Sequence, residues 1–259
     1  MTVAMYSGGA CSHLAAKRAN ADVLLFCDTG AEHKDLYRFV REGAEKLGKG
    51  LVWLRPKHDL FELCRKERML PNNRAPFCSR KLKVEPAERW MRENAKGAAV
   101  VVGLDWTEPH RFAGVQRRWK GHECLFPMAE RPCLTKGQML SEIARDGLKP
   151  CVMYELGYQH ANCGGGCVRA GQAQWAFLLR TDPELFWRWS ALEDEISAMR
   201  GKPCSVLKER RKPNEGRPLP LKEFALRVQA KDYDGLDWGG CGCFTATTHP
   251  VPHTGRRKE

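Results

Sequence analysis

The chain has 259 residues, of which 42% are hydrophobic and 29% are charged, a balance typical of a globular protein with a substantial core. No apolar run approaches the roughly 18 residues that a membrane-spanning helix needs, and the first residues do not resemble a secretory signal, so we expect a cytoplasmic protein with no membrane partner. The net charge of +12 favours polyanionic partners, such as nucleotides and nucleic acid, over a merely solubilising surface.

The first hundred residues alternate short apolar runs with amphipathic segments. The apolar runs predict strands buried on both faces, and the segments between them have the spacing of helices. This β-α-β series predicts an α/β fold with a mostly parallel sheet and helices on both faces. The predicted strands are 3–5, 23–27, 51–54 and 98–102, and the predicted helices are 12–19, 33–47, 60–68 and 84–94.

The second half of the chain changes character. Helical patterns cover 135–146, 172–179 and 183–199. A basic stretch of low hydrophobicity follows at 202–220, and it could be a phosphate-facing patch or, as we favour, a mobile loop. The last residues, 245–259, have little apolar surface to bury, so we expect a disordered basic tail there.

A glycine turn joins the first predicted strand to the first predicted helix. Gly8 and Gly9 let the backbone turn tightly, so that its N–H groups can approach a phosphate. Ser7 and Ser12 add hydroxyl donors, and a helix N-terminus favours an anion. The Gly-Lys-Thr/Ser ending of a Walker loop is missing. A connecting turn is the alternative, but the position between strand and helix favours phosphate binding.

This Ser-Gly-Gly-x-x-Ser loop resembles the PP-loop of the adenine nucleotide alpha-hydrolase superfamily, although Cys11 stands where those loops usually carry Asp. Four further segments resemble the phosphoadenosine phosphosulfate reductase family. They are Asp-Thr-Gly-x-Glu within 26–32, Cys-x-x-x-x-Lys-x-x-Pro at 78–86, Gly-x-x-x-x-Glu-x-x-Arg within 102–111, and Phe-Pro-Met at 126–128. The resemblance extends over about residues 1–195 and implies a Rossmann-like domain that binds ATP or phosphoadenosine phosphosulfate.

The residues of these motifs form a candidate nucleotide site. Asp28 and Glu32 could hold ribose hydroxyls or Mg²⁺, whereas Arg80, Lys81 and Arg111 could clamp phosphate or sulfate oxygens. Ordinary surface charges and helix caps are the alternatives, above all for Glu32 and Glu108. The expected nucleotide-binding residues are Ser7, Gly8, Gly9, Ser12, Asp28, Thr29, Glu32, Gly103, Glu108 and Arg111.

The chain has 12 cysteines, and outside the secretory pathway such cysteines more often bind metal or react than form disulfides. Two pairs lie between glycines, which let two thiolates face one centre, suited to Zn²⁺ or an iron–sulfur cluster. Buried free thiols are the alternative. The Asn-Cys-x-x-x-Cys segment at 162–167 resembles reductase-like proteins of phage and mobile DNA, which implies a 4Fe–4S cluster rather than zinc. The candidate ligands are Cys78, Cys163, Cys167, Cys241 and Cys243, with Cys151 in reserve.

Three functions remain open. The leading hypothesis is an ATP pyrophosphatase that adenylates a nucleic acid (DNA or tRNA) for sulfur transfer, with Arg80, Lys81, Cys241 and Cys243 as catalytic residues and a cysteine desulfurase as possible partner. The second is a sulfonucleotide reductase that draws electrons from a thioredoxin-like protein, although its Glu-Cys-Gly-Ile/Leu-His ending is missing. The third is a non-catalytic binding module with structural zinc. We expect a nucleotide-binding domain at 1–130, a helical, cysteine-containing part packed on it at 131–244, and the tail.

Overall fold

The computed structural model describes residues 1–72, 75–212 and 215–240. The predictions for Cys241, Cys243 and the tail at 245–259 therefore lie outside the described residues. In the part of the chain that is described, no helix is both long and apolar enough to cross a membrane.

A five-stranded sheet forms the centre of the fold, and all its strand pairs are parallel. The strand order is β3-β2-β1-β4-β5. The chain moves outward from β1 to β3 and then returns to the other side of β1, so the topological switch point lies between β1 and β4. The strands are β1 (Thr2–Met5), β2 (Val23–Cys27), β3 (Gly50–Leu54), β4 (Ala99–Val102) and β5 (Cys124–Leu125).

Eleven α-helices are assigned in the described residues, and each helix that the periodicity predicts is present with its ends shifted by at most two residues. A π-helical turn, Arg80–Val84, joins α4 to α5, and a short hairpin of β6 (Leu207–Lys208) and β7 (Pro218–Leu219) precedes α11. The helices are α1 (Ala10–Arg18), α2 (Lys34–Leu47), α3 (Leu60–Glu67), α4 (Phe77–Ser79), α5 (Glu85–Asn94), α6 (Phe112–Arg118), α7 (Lys136–Arg145), α8 (Val152–Glu155), α9 (Gln172–Thr181), α10 (Pro183–Arg200) and α11 (Leu221–Gln229).

Local signals set several of the helix ends. Asp59 and Glu62 form a capping box at the start of α3, and Thr135 with Gln138 does the same for α7. Helix α2 ends at Gly48, whose φ of 62° is the left-handed conformation that glycine adopts most easily. These positions agree with the expected helices because each cap satisfies backbone groups that the helix itself cannot pair.

Both faces of the sheet are covered, as the predicted fold class requires. One face packs against α1, α2 and α7 through residues such as Leu24 and Phe26, and the other packs against α5 through Ala87 and Met91. The alternation of side chains along parallel strands produces these two cores. The structure thus confirms an α/β, Rossmann-like fold.

A third core lies among α3, the π-helical turn and the helices α9 to α11, and it contains both Cys163 and Cys167. Helix α3 therefore packs with later parts of the chain, whereas α7 packs on the sheet. The division at residue 130 into two domains stays a prediction, since neither packing arrangement by itself defines where a domain ends.

The basic stretch at 202–220 contains the β6–β7 hairpin. The carboxylate of Glu209, 4% exposed, accepts hydrogen bonds from Arg227 and from the backbone N–H groups of Arg210 and Arg211. Burial by itself would raise the pKa of Glu209, but these donors lower it to about 2. Arg211 also pairs with Asp232 at 2.6 Å. Acidic residues of the chain itself thus neutralise part of this basic stretch.

Candidate functional site

A cavity of about 100 Å³ opens at the carboxyl ends of β1 and β4, at the topological switch point of the sheet. The loop after β1 and the turn after β4 form one part of its wall. Six residues that the sequence predicted for nucleotide binding line it: Ser7, Gly9, Ser12, Gly103, Glu108 and Arg111. The lining residues that were not predicted include Lys83, Lys136, Tyr154, His160 and Asn162.

The loop after β1 is held in a tight conformation. Gly8 has a φ of 76°, and a Cβ atom there would lie 2.7 Å from Val40 Cγ2. The Ser7 hydroxyl donates to Ser12 Oγ at 3.1 Å, and the Ser12 hydroxyl donates to the Gly9 carbonyl oxygen at 2.9 Å. These bonds hold the loop in the form that directs the first N–H groups of α1 towards the cavity.

Gly103 allows the turn after β4 to touch this loop directly. A Cβ atom at Gly103 would lie 2.6 Å from Ser12 Cα and 2.7 Å from Ser12 N, both backbone atoms that cannot rotate away. Only a residue without a side chain fits this close approach. The contact fixes the distance between the two loops that form the wall of the cavity.

The charged wall of the cavity comes from the turn after β4. Glu108 and Arg111 form a partly buried ion pair there. Cys11, which stands where the superfamily usually has Asp, also lines the cavity, and burial raises the pKa of its thiol to about 12. Cys11 is therefore a neutral thiol at physiological pH, so it supplies no charge for a phosphate-bridging cation.

Asp28 does not line this cavity, because its carboxylate is occupied within the fold. Its Oδ1 accepts from the Tyr37 hydroxyl at 2.8 Å and from the Gly30 N–H at 2.9 Å, and its Oδ2 accepts from Trp53 Nε1 at 3.0 Å. These three donors use most of the acceptor capacity of a carboxylate. The binding of ribose or Mg²⁺ by Asp28 stays a prediction.

Glu32 is buried and also lies outside the cavity wall. Its Oε1 accepts from Lys83 Nζ at 3.1 Å and from the Thr29 hydroxyl at 3.1 Å, and its Oε2 accepts from the Cys163 N–H. The side chains of Glu32 and Lys83 are only 2% and 6% exposed. Glu32 therefore joins the lysine of one motif to the cysteine turn of another, and its predicted role in binding nucleotide or Mg²⁺ is untested.

A second, smaller cavity of about 20 Å³ adjoins the first. Cys78, Cys163 and Cys167 all line it, and Lys83 lines both cavities. Sequence reasoning selected Arg80 and Lys81 in this segment, but neither of them lines either of these two cavities. Arg80 is largely exposed, and Lys81 pairs with Glu67 at 2.6 Å.

Lys83 carries its own sequence signal, because it is the lysine of the Cys-x-x-x-x-Lys-x-x-Pro segment. The π-helical turn Arg80–Val84 contains it, and such turns are rare and often lie at functional sites. The catalytic roles of Arg80 and Lys81 stay predictions, and the structure adds Lys83 as the cation that both cavities share.

The turn that carries two of the cysteines has an unusual backbone. Cys163, Gly164 and Gly165 have φ values of 50°, 57° and 92°, so three successive residues take the left-handed region that non-glycine residues rarely adopt. A hydrogen bond with Cys167, burial and the nearby charge of Glu32 raise the pKa of the Cys163 thiol well above its usual range. The Cys163 thiol therefore stays protonated at neutral pH unless a metal ion replaces its proton.

The last described residues lie next to this turn. Gly239 forms an antiparallel bridge with Ala170, and the Gly240 N–H donates to the Arg169 carbonyl oxygen at 3.3 Å. Arg169 itself lines the cysteine cavity. The chain thus passes beside the cavity just before Cys241.

The described residues contain no group of three or more His, Cys, Asp or Glu side chains arranged to hold a metal ion. Cys78, Cys163 and Cys167 line one cavity, but their side chains do not form such a group. Two further candidate ligands, Cys241 and Cys243, lie outside the described part of the chain. Cys151 is buried in the core beside the sheet, and burial raises the pKa of its thiol to about 11. The predicted metal ligands therefore remain untested as a set.

Comparison with known proteins agrees with this geometry. A family model for the phosphoadenosine phosphosulfate reductase domain matches residues 2–163, a range that contains the phosphate loop, the turn after β4 and Lys83. A search of curated proteins gives no match. Because the family model covers more than half of the 259 residues, this chain belongs to the phosphoadenosine phosphosulfate reductase domain family, whose members are nucleotide-using enzymes of the PP-loop superfamily.

Proposed function

We propose that this protein uses ATP to adenylate a nucleic acid, DNA or tRNA, and then transfers sulfur to the activated position. One observation carries the proposal: the nucleotide cavity and the cysteine cavity adjoin, and the buried residue Lys83 lines both. An enzyme that activates a target with ATP and then delivers sulfur needs these two functions within reach of one substrate atom. The charge of +12 favours a nucleic-acid target.

The residues around the larger cavity suit a nucleoside triphosphate. The N-terminus of α1 offers backbone N–H donors, Ser7 and Ser12 offer hydroxyl groups, and Arg111 offers a guanidinium group that suits phosphate oxygens. Mg²⁺ would enter with the nucleotide, bound mainly by phosphate oxygens and water, as Mg²⁺ prefers.

The reaction then has three steps that balance. An oxygen atom of the target attacks the α-phosphorus of ATP, the bond from that phosphorus to the bridging oxygen breaks, and pyrophosphate leaves. The outer sulfur of a cysteine persulfide, which a cysteine desulfurase would supply, attacks the activated carbon, the carbon–oxygen bond breaks, and AMP leaves. A second cysteine thiol then attacks the inner sulfur of the persulfide, the sulfur–sulfur bond breaks, and a disulfide forms while the outer sulfur stays on the target. Lys83 and Arg111 lie where they can stabilise the negative charge that develops on phosphate oxygens.

The smaller cavity suits an iron–sulfur cluster by the chemistry of its donors. Cys78, Cys163 and Cys167 are soft sulfur ligands, which iron–sulfur clusters and zinc prefer. One of Cys241 and Cys243 would supply a fourth thiolate, because the chain reaches Gly240 beside Arg169. When bound, a 4Fe–4S cluster would supply electrons or a site that holds sulfur. Because the pKa of the Cys163 thiol is raised well above its usual range, loading would release the proton of this thiol.

Metal content tests this assignment. We expect protein purified without oxygen to contain iron and sulfide in equal amounts, and Cys167→Ser to lose more than half of both. Cys204→Ser is the matched control, because Cys204 does not line the smaller cavity and its thiol donates a hydrogen bond to the Lys202 carbonyl oxygen. This variant should keep its iron and sulfide. Stoichiometric zinc without iron would refute the cluster and favour a binding module with structural zinc.

The family match itself favours a second candidate, a sulfonucleotide reductase. In that reaction a cysteine thiolate, Cys241 or Cys243, would attack the sulfur of phosphoadenosine phosphosulfate, the sulfur–oxygen bond would break, and adenosine bisphosphate would leave. A thiol of a thioredoxin-like protein would then attack the cysteine sulfur, so that sulfite leaves and a mixed disulfide forms, which the second thioredoxin thiol reduces. Sulfite release that Cys241→Ser or Cys243→Ser abolishes would support this candidate. Pyrophosphate release from ATP, stimulated by nucleic acid, would support the first.

A further inference from the structure

We infer that Tyr154 and Lys136, which lie outside all the motifs found in the sequence, form the second wall of the phosphate site and hold the polyphosphate chain of a nucleoside triphosphate against the loop after β1. The inference rests on the proposed use of ATP, but not on the sulfur chemistry or on the identity of the target. It assigns the site to a nucleoside triphosphate rather than to a nucleoside.

Tyr154 contacts the phosphate loop directly. Its hydroxyl oxygen accepts a hydrogen bond from the Ala10 N–H at 3.0 Å, and Ala10 is the first residue of α1. The first N–H groups of a helix have no partner within it, and here one of them meets a phenol. A tyrosine hydroxyl that accepts this bond also has a proton to donate. Because Tyr154 lines the cavity, a phosphate oxygen at the loop would meet that donor.

Lys136 is the cation that the cavity does not neutralise. Three cations line the cavity, and Lys83 pairs with Glu32 while Arg111 pairs with Glu108. Lys136 has no ion pair with any carboxylate of the described residues, and its Nζ lies 5.7 Å from the centroid of the Tyr154 ring, within the range of a cation–π contact. A triphosphate would supply the missing negative charge.

The position of Lys136 also opposes the stability of its own helix. It is the first residue of α7, whose first turn contains no acidic residue. A cation at a helix N-terminus is unfavourable, because the helix dipole is positive there. Conflicts of this kind between local stability and sequence are expected at functional sites. The ammonium group and the N-terminus of α7 together favour an anion.

The wall that carries Tyr154 is rigid. The Val152 N–H at the start of α8 donates to Asp35 Oδ2 at 2.7 Å, and Arg38 Nε donates to Asp35 Oδ1 at 2.6 Å. Arg38 also donates to the Lys149 and Pro150 carbonyl oxygens. The start of α8 is therefore fixed to α2 before a ligand binds, so that the helix that carries Tyr154 is already in place beside the cavity.

Calorimetric titration of the full-length protein with MgATP tests the inference. A hydrogen bond to a charged group contributes about 1.5–3 kcal/mol, so Tyr154→Phe should weaken ATP binding by about 10-fold or more. Lys136→Met should weaken ATP binding to a similar degree, and the loss should shrink at high salt. Both variants should bind adenosine within about 2-fold of the wild-type protein, since neither side chain is assigned to the nucleoside.

Tyr158→Phe is the matched control. Its hydroxyl is hydrogen-bonded to Thr181 Oγ1 at 2.6 Å and it does not line the cavity, so its ATP affinity should equal that of the wild type. Equal ATP affinities for the Tyr154 and Tyr158 variants would overturn the inference, as would an equal loss of ATP and adenosine binding or a wild-type protein that does not bind ATP. If Tyr154→Phe selectively loses ATP while the wild type releases no pyrophosphate, the inference is supported and the proposed function is refuted.

Discussion

Removal of one partner of the buried ion pair of Lys83 and Glu32, at the boundary between the two cavities, should strongly destabilise the protein. Their side chains are 6% and 2% exposed, and the Glu32 carboxylate also accepts hydrogen bonds from the Thr29 hydroxyl and the Cys163 N–H. Lys83→Met would keep much of the side-chain volume but would leave the Glu32 carboxylate buried without its counter-ion. Breaking a buried pair in this way costs about 3–5 kcal/mol, a large part of the roughly 5–15 kcal/mol that stabilises a typical domain.

Urea unfolding followed by tryptophan fluorescence measures this loss. The midpoint should fall for Lys83→Met while the m-value, which depends on the surface exposed by unfolding, stays the same. The double variant Glu32→Gln, Lys83→Met removes both charges, so it should recover about 2 kcal/mol or more of the loss. This recovery separates the unpaired charge from any loss of packing.

A surface pair provides the control. Lys222 pairs with Asp194, and their side chains are 62% and 55% exposed. Because water screens such pairs, Lys222→Met should change the free energy of unfolding by less than about 1 kcal/mol. A loss for Lys83→Met no larger than that of the control, or a double variant whose losses simply add, would refute the assignment of a buried and coupled pair.

Two further changes test the geometry of the cavity wall. Gly103→Ala would place a Cβ atom 2.6 Å from Ser12 Cα, so urea titration should show that the free energy of unfolding falls by about 1–3 kcal/mol. Gly137→Ala is the control, because no atom lies within 4 Å of its Cβ position, and it should change the free energy of unfolding by less than about 0.5 kcal/mol. Equal effects of the two variants would contradict the close contact at Gly103. A hydrogen bond from Arg38 lowers the pKa of Asp35 from 3.8 to about 2, so the stability that this carboxylate adds is complete above pH 3.8 and is lost as the pH falls towards 2. The difference in melting temperature between wild type and Asp35→Asn should therefore shrink between pH 4 and pH 2, and a difference that grows would contradict the ion pair.

The sheet could be predicted from the sequence because its strands are buried on both faces and appear as continuous apolar runs. β5 could not, since two residues, Cys124 and Leu125, are too short for a pattern. Helix α11 was missed although Leu221, Phe224, Ala225 and Val228 have helical spacing. The basic, proline-containing stretch before it suggested a loop, but the structure has the β6–β7 hairpin there, with Glu209 buried among arginine groups.

Residues that immediately follow a strand were the predictable part of the site. Ser7, Gly9 and Gly103 follow the carboxyl ends of β1 and β4, and they line the cavity together, because parallel strands bring those ends to one edge of the sheet. Tyr154 and Lys136 could not be predicted in this way. They reach the cavity from helices more than 120 positions further along the chain than the phosphate loop, and only the packing of α7 and α8 places them there.

The choice of lysine shows another limit of the sequence. Arg80, Lys81 and Lys83 lie in one basic run, and composition cannot tell which of them faces inward. The π-helical turn and the carboxylate of Glu32 place Lys83 in the interior, while Lys81 pairs with Glu67 outside both cavities. For the cysteines the sequence was more informative. The family resemblance grouped Cys78 with Cys163 and Cys167 as candidate ligands, and in the structure all three line one cavity.

The central claim is that ATP is cleaved between its α- and β-phosphates to activate a nucleic acid. Incubating the anaerobically purified protein with ATP, Mg²⁺ and a mixture of transfer RNA or single-stranded DNA, and measuring pyrophosphate, tests it most directly. The account predicts pyrophosphate release that rises several-fold with one of these nucleic acids and falls when Arg111 is replaced by Met. ATP that binds but yields no pyrophosphate, together with sulfite release from phosphoadenosine phosphosulfate, would contradict it.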